Sequence, residues 1–488
     1  MAFLWISLLA SSLPVQGKSV ERLGRRVAFN QEGKLKIAQF TDIHWDETSK
    51  ENCKRTIASI RAVIAAEQPD VAMLTGDVVT AQPAMEGWHS IIALFEREKL
   101  PFAVMMGNHD AEVLPKEEIY RMLARSPYFI GEAGPSTIHG KGNYVIPVYP
   151  SSDKGKEAPA ALLYCLDSND YPTMKDYGTY DWIHFDQIAW YRTESARYTA
   201  LNGGKPLPAL AFFHIPLPEY KEMREFLGQK KEEGVASPEV NSGLFTSLIE
   251  MGDVMGCFVG HDHDNEFIGT LYGKALAYGR VSGWDAYGDF ERGARLIELH
   301  EGEQAFDSWV RTPSRKEYTY YYPSGLSSRD EETMRFLPAV YPLDKQGLKP
   351  GVSYTYYEGK FKHTDQIPAG THLKKGTLSA LTIKEAPAKD HFAYEFEALI
   401  RIPERGVYRF YTYSDDGSKL WIDGEEVVDN DGSHNAQLAR GKVALDAGFH
   451  RLRLRYFEDY MGEELEVGLS SRYIPEGKLP DGWLFVAE

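Results

Sequence analysis

The chain has 488 residues, of which 43% are hydrophobic and 12% aromatic, so it is long enough for two or three folded domains. Its formal net charge of −17, from 71 acidic and 54 basic side chains, argues against a nucleic-acid or anionic-membrane surface as the main partner. A phosphorylated substrate is still compatible with this charge, because bound cations would set the sign of the local field.

Residues 1–17 are predicted to be a secretory signal peptide. An apolar run, Phe3–Ala10, is followed by small residues ahead of Lys18, although no basic residue precedes the run. The alternative is a frayed or wrongly started terminus. No later run reaches the ~18 apolar residues that cross a bilayer, so we expect a secreted or periplasmic protein without a transmembrane anchor. We interpret all three cysteines as buried thiols: Cys53, Cys165 and Cys257.

Residues 18–311 show the alternating strand and helix patterns of a layered α/β domain. Short apolar runs such as Val71–Leu74 are typical of strands buried on both faces. The charged segment 221–233 is predicted to be helical. The spacing of apolar residues predicts further helices at 49–67, 85–98, 187–201 and 244–251.

Five of the predicted strands end in carboxylate, amide or imidazole side chains. Open α/β sheets place their ligands at the carboxyl ends of the strands, so we expect these side chains to lie together. The sequence therefore predicts a metal centre with Asp77 in the middle. The other strands end in the motifs Asp42-Ile43-His44, Gly107-Asn108-His109-Asp110, His214 and Gly260-His261-Asp262-His263.

A two-metal site for phosphoryl transfer requires one bridging anion and separate ligands for two ions ~3.5–4 Å apart. The nucleophile would be a hydroxide held between the ions. His109 is the candidate to protonate the leaving oxygen, and Asp110 is a candidate to orient its ring. The chain supplies a full ligand set: Asp42, His44 and His263 for the first ion, Asn108, His214 and His261 for the second, and Asp77 as the bridge.

In this order the motifs resemble those of the calcineurin-like metallophosphoesterases, above all the purple acid phosphatase 29-type and yeast Dcr-two-type branch. The resemblance covers about residues 35–299, including Phe213–Glu219 and Asn241–Gly243. It implies a four-layer α/β/β/α fold and a dinuclear phosphoesterase. The iron-binding tyrosine of plant and mammalian purple acid phosphatases has no counterpart, since His44 stands at that motif. The resemblance therefore implies Fe, Mn or Zn as the metals, without the purple chromophore.

Two further groups of residues allow either a structural or a substrate-binding interpretation. The tyrosine-rich loop 167–185 could pack on the surface or form a wall of the substrate cleft. Beyond the last motif, Arg280, Trp284 and Tyr287 could bind substrate or support hairpins.

The C-terminal part is predicted to be all-β. Period-two alternation over residues 351–475 indicates a β-sandwich. It is preceded by a proline-rich linker at 312–350, expected to pack partly on its neighbours, and followed by a tail at 476–488. The segment Tyr411–Gly424 resembles the protective-antigen-type domain found beside glycosidases and in fungal adhesins. In adhesins adjacent aspartates coordinate a calcium ion that binds sugars, which the resemblance carries to Asp415 and Asp416. Asp-Asp-Gly is also an ordinary turn, so a structural role stays open.

The sequence favours an exported dinuclear-metal phosphoesterase with an appended β-sandwich, for which glycan binding and a structural or positioning role both stay open. One alternative is a phosphodiesterase, because both ester classes use the same ions and differ in cleft shape. The other is a carbohydrate-binding or adhesive protein whose phosphatase-like domain is inactive. Such a protein has no chemical need for seven ligands and His109.

Overall fold

The computed structural model describes residues 26–152, 158–231, 234–367, 372–472, 474–480 and 482–487. The signal predicted at residues 1–17 lies outside this part of the chain. Within the described part, no helix combines the length and the hydropathy that a bilayer span requires. All three cysteines are buried and unpaired, as predicted.

The N-terminal unit alternates strands and helices, and 3₁₀ turns lie at Lys175–Tyr177 and Pro218–Glu222. Its elements are β1 (Lys34–Phe40), α1 (Lys50–Glu67), β2 (Val71–Thr75), α2 (Ala84–Glu98), β3 (Phe102–Met105), α3 (Asp110–Val113), α4 (Lys116–Leu123), β4 (Tyr144–Val148), β5 (Ala161–Cys165), α5 (Phe185–Leu201), β6 (Ala209–Phe212), α6 (Leu244–Met251), β7 (Val254–Val259), β8 (Ile268–Leu271), β9 (Lys274–Tyr278), β10 (Ala294–His300), β11 (Phe306–Arg311), β12 (Lys316–Tyr322), β13 (Leu326–Ser327) and α7 (Ser328–Thr333).

Two sheets form the centre of this unit. The first has the strand order β13-β12-β11-β10-β1-β2-β3, and the second has the order β4-β5-β6-β7-β9-β8. Strands β1 to β3 are parallel to one another, as are β5, β6, β7 and β9. The carboxyl ends of these parallel strands therefore lie at one edge of each sheet.

The sheets pack face to face, with helices outside them. Side chains of both sheets share one core, in which the rings of Phe258 and Phe306 lie 5.7 Å apart. Alternation along β5 places Leu163 in that core and Leu162 in a second core with α5 and α6. Helices α1 and α2 contribute to the first core through residues such as Ile60 and Trp88. The predicted four-layer α/β/β/α fold is confirmed.

The C-terminal unit is the predicted β-sandwich, with a 3₁₀ turn at Thr364–Gln366. The strands of this unit are β14 (Phe336–Leu337), β15 (Leu348–Pro350), β16 (Val352–Glu358), β17 (Lys374–Leu378), β18 (Phe392–Ile402), β19 (Gly406–Asp415), β20 (Ser418–Ile422), β21 (Glu425–Asn430), β22 (Gln437–Leu445), β23 (Gly448–Glu458), β24 (Glu464–Ser471), β25 (Gly477–Lys478) and β26 (Leu484–Ala487). One sheet has the strand order β14-β22-β19-β24-β25, and the other has the order β15-β26-β18-β23-β20-β21, in which β16 pairs with β18 and β17.

The segments predicted to be a linker and a tail contribute strands to the two units. Within residues 312–350, β12 and β13 extend the first sheet, whereas β14 pairs with β22 of the sandwich. Within residues 476–488, β25 pairs with β24, and β26 pairs with β15 and β18. Both segments are therefore parts of the folded units.

The helix predicted at residues 221–233 is wrong. After the 3₁₀ turn that ends at Glu222, the described residues up to Lys231 form no helix. Leu227 exchanges two backbone hydrogen bonds with Ile268, and Gly228 has a φ of 110°, which an α-helix does not contain. The many charges suggested a helix, but pairing with β8 decides the conformation.

Candidate metal centre

Six of the predicted ligands form two adjacent groups where the parallel strands end. Asp42, His44 and His263 make the first group, and Asp77, His214 and His261 make the second. In each group, one ligand atom of every member lies within 4.8 Å of the others. The seventh predicted ligand, Asn108, follows β3 and is buried.

Asp77 reaches both groups with one oxygen. Its Oδ2 lies 3.5 Å from Nε2 of His44 and 3.2 Å from Nε2 of His214. In the first group, His263 Nε2 lies 3.3 Å from Asp42 Oδ1. Asp77 therefore occupies the position that a bridging carboxylate requires.

Several buried atoms at this place have no hydrogen-bond partner among the described residues. They include Nε2 of His44, His214 and His261, and Oδ1 of Asn108. His214 Nδ1 lies 2.8 Å from the Thr75 carbonyl oxygen, which can only accept, so Nδ1 carries a proton and Nε2 is the nitrogen that faces the Asp77 carboxylate. Buried polar atoms without a partner are rare, and metal ions would satisfy these. The residues fit a metal centre.

The buried carboxylates and imidazoles of the two ligand groups change one another's pKa values. Burial opposes a charge on His214, but the Asp77 carboxylate outweighs it and raises the pKa of His214 to about 10. Burial likewise opposes ionisation of Asp77, yet the charge of His214 holds the pKa of Asp77 well below its ordinary value. Burial, aided by the charge of His214, lowers the pKa of His261 to about 3. His261 is thus a neutral imidazole at neutral pH, as a metal ligand must be.

The backbone at the centre adopts unusual conformations. Asp42, His44, Asp77 and His261 have φ values of 51°, 47°, 49° and 81°, in a region that residues other than glycine seldom occupy. Such conformations are concentrated at functional sites. The glycine before Asn108 is required for space, because a Cβ at Gly107 would lie 2.2 Å from Asp77 Oδ1.

His109 lies beside the two groups. Its backbone N–H donates to Asp77 Oδ1 at 2.9 Å, and its ring centroid is 5.8 Å from that of His44. Its Nδ1 lies 2.9 Å from Glu112 Oε2. Because a carboxylate only accepts, the imidazole donates to Glu112 and is held in a fixed orientation.

The prediction that Asp110 orients the His109 ring is wrong. Asp110 is fully buried and accepts the backbone N–H groups of Gly107, Val78 and Val79 at 2.8–3.0 Å, which fastens the loop after β2 to the loop after β3. Burial, with the nearby charge of Asp77, raises the pKa of Asp110 to about 6. Glu112 follows His109 by three residues in α3, a spacing that could have indicated it.

Three tyrosines surround the ligand side chains. The Tyr171 hydroxyl accepts from Asn108 Nδ2 at 3.0 Å and donates to Glu112 Oε1 at 2.8 Å. The Tyr180 ring stands edge-on to His261 at 4.5 Å, and the Tyr287 ring stacks on His263 at 3.8 Å. Loop 167–185 therefore contacts the centre, as its cleft-wall interpretation requires.

Arg280 and Trp284 have structural contacts instead. Arg280 is 2% exposed and pairs with Glu266 and Glu317. Trp284 donates its indole N–H to Ser59 Oγ and stacks against Arg55 at 3.5 Å. Of the two interpretations of these residues, the contacts support the structural one.

The C-terminal unit brings a third carboxylate to the predicted calcium residues. Glu458 joins Asp415 and Asp416 in a group whose ligand atoms lie within 4.8 Å of one another. Asp416 accepts two backbone N–H groups at 2.8 Å, whereas the buried Glu458 Oε1 has no partner in the described structure. Burial, with the charge of Asp416, raises the pKa of Glu458 to about 8. Sequence reasoning missed Glu458, because it lies on a distant strand.

Comparison with known proteins identifies both units. Residues 35–265 match the calcineurin-like phosphoesterase family, and residues 348–480 match the PA14 domain. The Arabidopsis thaliana protein named probable inactive purple acid phosphatase 29 is 32% identical over 64% of this chain and 88% of its own length. Phosphatase DCR2 of Saccharomyces cerevisiae is 30% identical over 65% of this chain and 60% of its own length. Among solved structures, a dimetal phosphatase from Danio rerio is 10% identical, with 58% of this chain and 98% of that chain covered and a TM-score of 0.42.

Proposed function

Because the chain belongs to the calcineurin-like phosphoesterase family, we propose that it is an active dinuclear-metal hydrolase of phosphate esters. The observation that carries this proposal is the position of Asp77 Oδ2, within 3.5 Å of a histidine from each ligand group. One carboxylate shared between two ligand sets is what a two-metal centre needs.

The ligand roles follow from the two groups. Asp42, His44 and His263 would hold one ion, Asn108, His214 and His261 the other, and Asp77 both. Mixed imidazole and oxygen donors suit Fe, Mn or Zn. Two ions held there would supply Lewis-acid polarisation of the phosphoryl group and activation of a water molecule.

His109 would donate a proton to the leaving oxygen. Its Nδ1–H is bound by Glu112, so Nε2 is the nitrogen available to an ester at the centre. Tyr171 joins Glu112 to Asn108 through two hydrogen bonds. This network ties the orientation of the proton donor to a proposed ligand of the second ion.

Tyr171 and Tyr287 are 44% and 56% exposed, beside the ligand side chains. They offer aromatic faces and hydroxyl groups to the organic part of a phosphorylated small molecule or macromolecule. Both phosphomonoesters and phosphodiesters present such a part to the cleft. The ester class therefore has to be measured.

Loss of activity is the competing hypothesis, since the name of the Arabidopsis relative describes that protein as probably inactive. Seven ligand-type side chains and the oriented His109 favour activity in this chain. Under the competing hypothesis the protein would bind carbohydrate through its PA14 domain.

The test is hydrolysis of matched aryl phosphate mono- and diesters after the metals are stripped and replaced with Mn, Fe or Zn. We expect turnover only with metal, and the ratio of the two rates gives the ester class. Bound metal should reach two ions per chain by elemental analysis. Absence of both metal binding and turnover would contradict the proposal and favour the carbohydrate-binding protein.

For the C-terminal unit we propose a calcium site that serves glycan binding by an exported protein. The supporting observation is the unpartnered Glu458 Oε1 beside Asp415 and Asp416, because calcium takes carboxylate oxygens. The PA14 match is compatible with a sugar ligand.

Calcium should raise the unfolding temperature of the sandwich. A ligand at 100 times its Kd stabilises the folded state by about 2.7 kcal/mol, which corresponds to several degrees. Differential scanning calorimetry with the first centre filled, in calcium or in a chelator selective for calcium, measures this. Glu458→Gln and Asp415→Asn should remove the shift, whereas Asp344→Asn, at an exposed position, should keep it. Equal unfolding temperatures with and without calcium would contradict the site.

A further inference from the structure

A cavity lies between the two units. It has a volume of about 500 Å³ and is lined by residues 224–227 of the N-terminal unit, by the segment from β12 to α7, and by strands β19 and β22 of the sandwich. None of the seven proposed metal ligands lines it. The cavity is therefore a separate place in the molecule.

The charge of this cavity is opposite to that of the whole chain. Its lining contains five cationic side chains and two carboxylates, although acidic residues outnumber basic ones by 71 to 54 in the chain. The cations are Arg224, Arg329, Arg409, Arg440 and Lys442, and the carboxylates are Glu225 and Asp330.

Two of the cations have firm partners. Arg440 forms a bidentate pair with Glu476 at 2.6 and 2.8 Å. Lys442 binds Asp330, which also accepts from the backbone and hydroxyl of Ser327. These contacts are parts of the fold and leave three arginines to consider.

Arg409 has only a weak anionic partner. Its side chain is 15% exposed, and it contacts Glu225 Oε2 at 2.9 Å and the Ser324 carbonyl oxygen at 3.3 Å. The Glu225 side chain is 82% exposed, and ion pairs with such an exposed partner contribute little to stability. A mostly buried guanidinium needs a better counter-charge than this.

Arg224 and Arg329 are exposed at the same cavity, and neither forms an ion pair within the described ranges of the chain. Counting Glu476 with the two lining carboxylates, five positive charges face three negative ones. The remaining charge of about two matches a dianion. Guanidinium groups bind tetrahedral oxyanions through paired N–H donors.

We propose that this cavity binds a doubly charged tetrahedral oxyanion, phosphate or sulfate, either free or as the terminal group of a larger ligand. Arg409 forms the base of the site, and Arg224 and Arg329 close on the anion from the rim. Glu225 takes the place of the ligand when the site is empty, so it competes with the anion. Occupancy of the site joins the N-terminal unit to the sandwich.

Isothermal titration of the full chain with inorganic sulfate and phosphate tests the site. The titrations use Asp77→Asn protein from which all metal has been removed, so that phosphate at the metal centre does not contribute, and chloride keeps the ionic strength constant. The result is then independent of the proposed catalytic function. We expect Glu225→Gln to tighten binding up to about fivefold, because it removes the competitor. Arg409→Gln should weaken binding by about tenfold or more.

Arg329→Gln separates a loss of binding from a folding defect. The Arg329 side chain is exposed on α7, so this substitution should weaken anion binding without changing the unfolding temperature. Arg405→Gln is the matched control, because Arg405 is 62% exposed, pairs with Asp446 and does not line the cavity.

A purely structural Arg409–Glu225 pair predicts no binding in any variant. The proposal is overturned if Glu225→Gln does not bind the anion or binds it more weakly than the parent protein. It is also overturned if Arg329→Gln and Arg409→Gln both bind the anion as tightly as the parent protein. An advantage of phosphate over sulfate in Glu225→Gln would indicate a phosphorylated ligand.

Discussion

Replacing Asp77 with asparagine should abolish phosphoester hydrolysis and release at least one of the two ions. Asp77 Oδ2 lies between His44 and His214, so it is the only carboxylate oxygen of the described chain seen to contact a histidine of each group. An asparagine offers one neutral oxygen in place of a shared anion. A loss of about 10³-fold or more in kcat/KM corresponds to about 4 kcal/mol of transition-state stabilisation, within what a metal centre supplies. Elemental analysis and aryl phosphate hydrolysis measure the two effects.

Asp344→Asn is the matched control for this substitution. It makes the same chemical change at an exposed position in the segment between the units, and it should leave metal content and kcat/KM unchanged. Far-UV circular dichroism shows whether Asp77→Asn has kept the fold. A folded Asp77→Asn protein with two ions and normal turnover would show that Asp77 is not the bridge.

The grouping of the ligands could be predicted because it depends on topology alone. Apolar runs such as β2 and β7 identify strands buried on both faces, and parallel strands bring their carboxyl ends to one edge. Asp77 and His261 follow those strands after a single glycine. No long-range contact has to be known for this inference.

The residues that sequence reasoning missed depend on contacts between distant segments. Glu458 meets Asp416 only because β23 places it there, 42 positions along the chain from the aspartate. Asp110 was assigned to the neighbouring His109, yet its carboxylate is used by three backbone N–H groups. Sequence adjacency says little about which partner a short, buried side chain will find.

The strands within residues 312–350 could not be located from the sequence. The prolines and polar residues of this segment predict a linker that packs partly on its neighbours, whereas β12 pairs with β11 and β13, and β14 pairs with β22 of the sandwich. A strand joins a sheet through backbone hydrogen bonds, which carry no residue-specific signal. The same packing of distant segments forms the cationic cavity around Arg409.

Replacing His109 with glutamine should lower kcat by about 10²- to 10⁴-fold and leave both ions bound, because the ring donates a proton and is not among the proposed ligands. Glu112→Gln should lower kcat about 10- to 100-fold, as expected for the loss of a group that orients a functional histidine. Both losses should be larger for esters with poor leaving groups, such as phenyl phosphate, than for p-nitrophenyl phosphate. A leaving group whose phenol has a low pKa, such as p-nitrophenol, departs as the anion without a proton. Hydrolysis of its ester therefore does not need His109.

This dependence on the leaving group separates proton donation from a structural role. A His109 that only supports the loop would change all esters by the same factor, and that outcome would contradict the proposed role. His89→Gln is the matched control, since His89 is exposed on α2 and should leave every rate unchanged. Tyr171→Phe keeps the ring but removes the hydroxyl between Glu112 and Asn108, so its loss should follow that of Glu112→Gln in leaving-group dependence and be smaller in size.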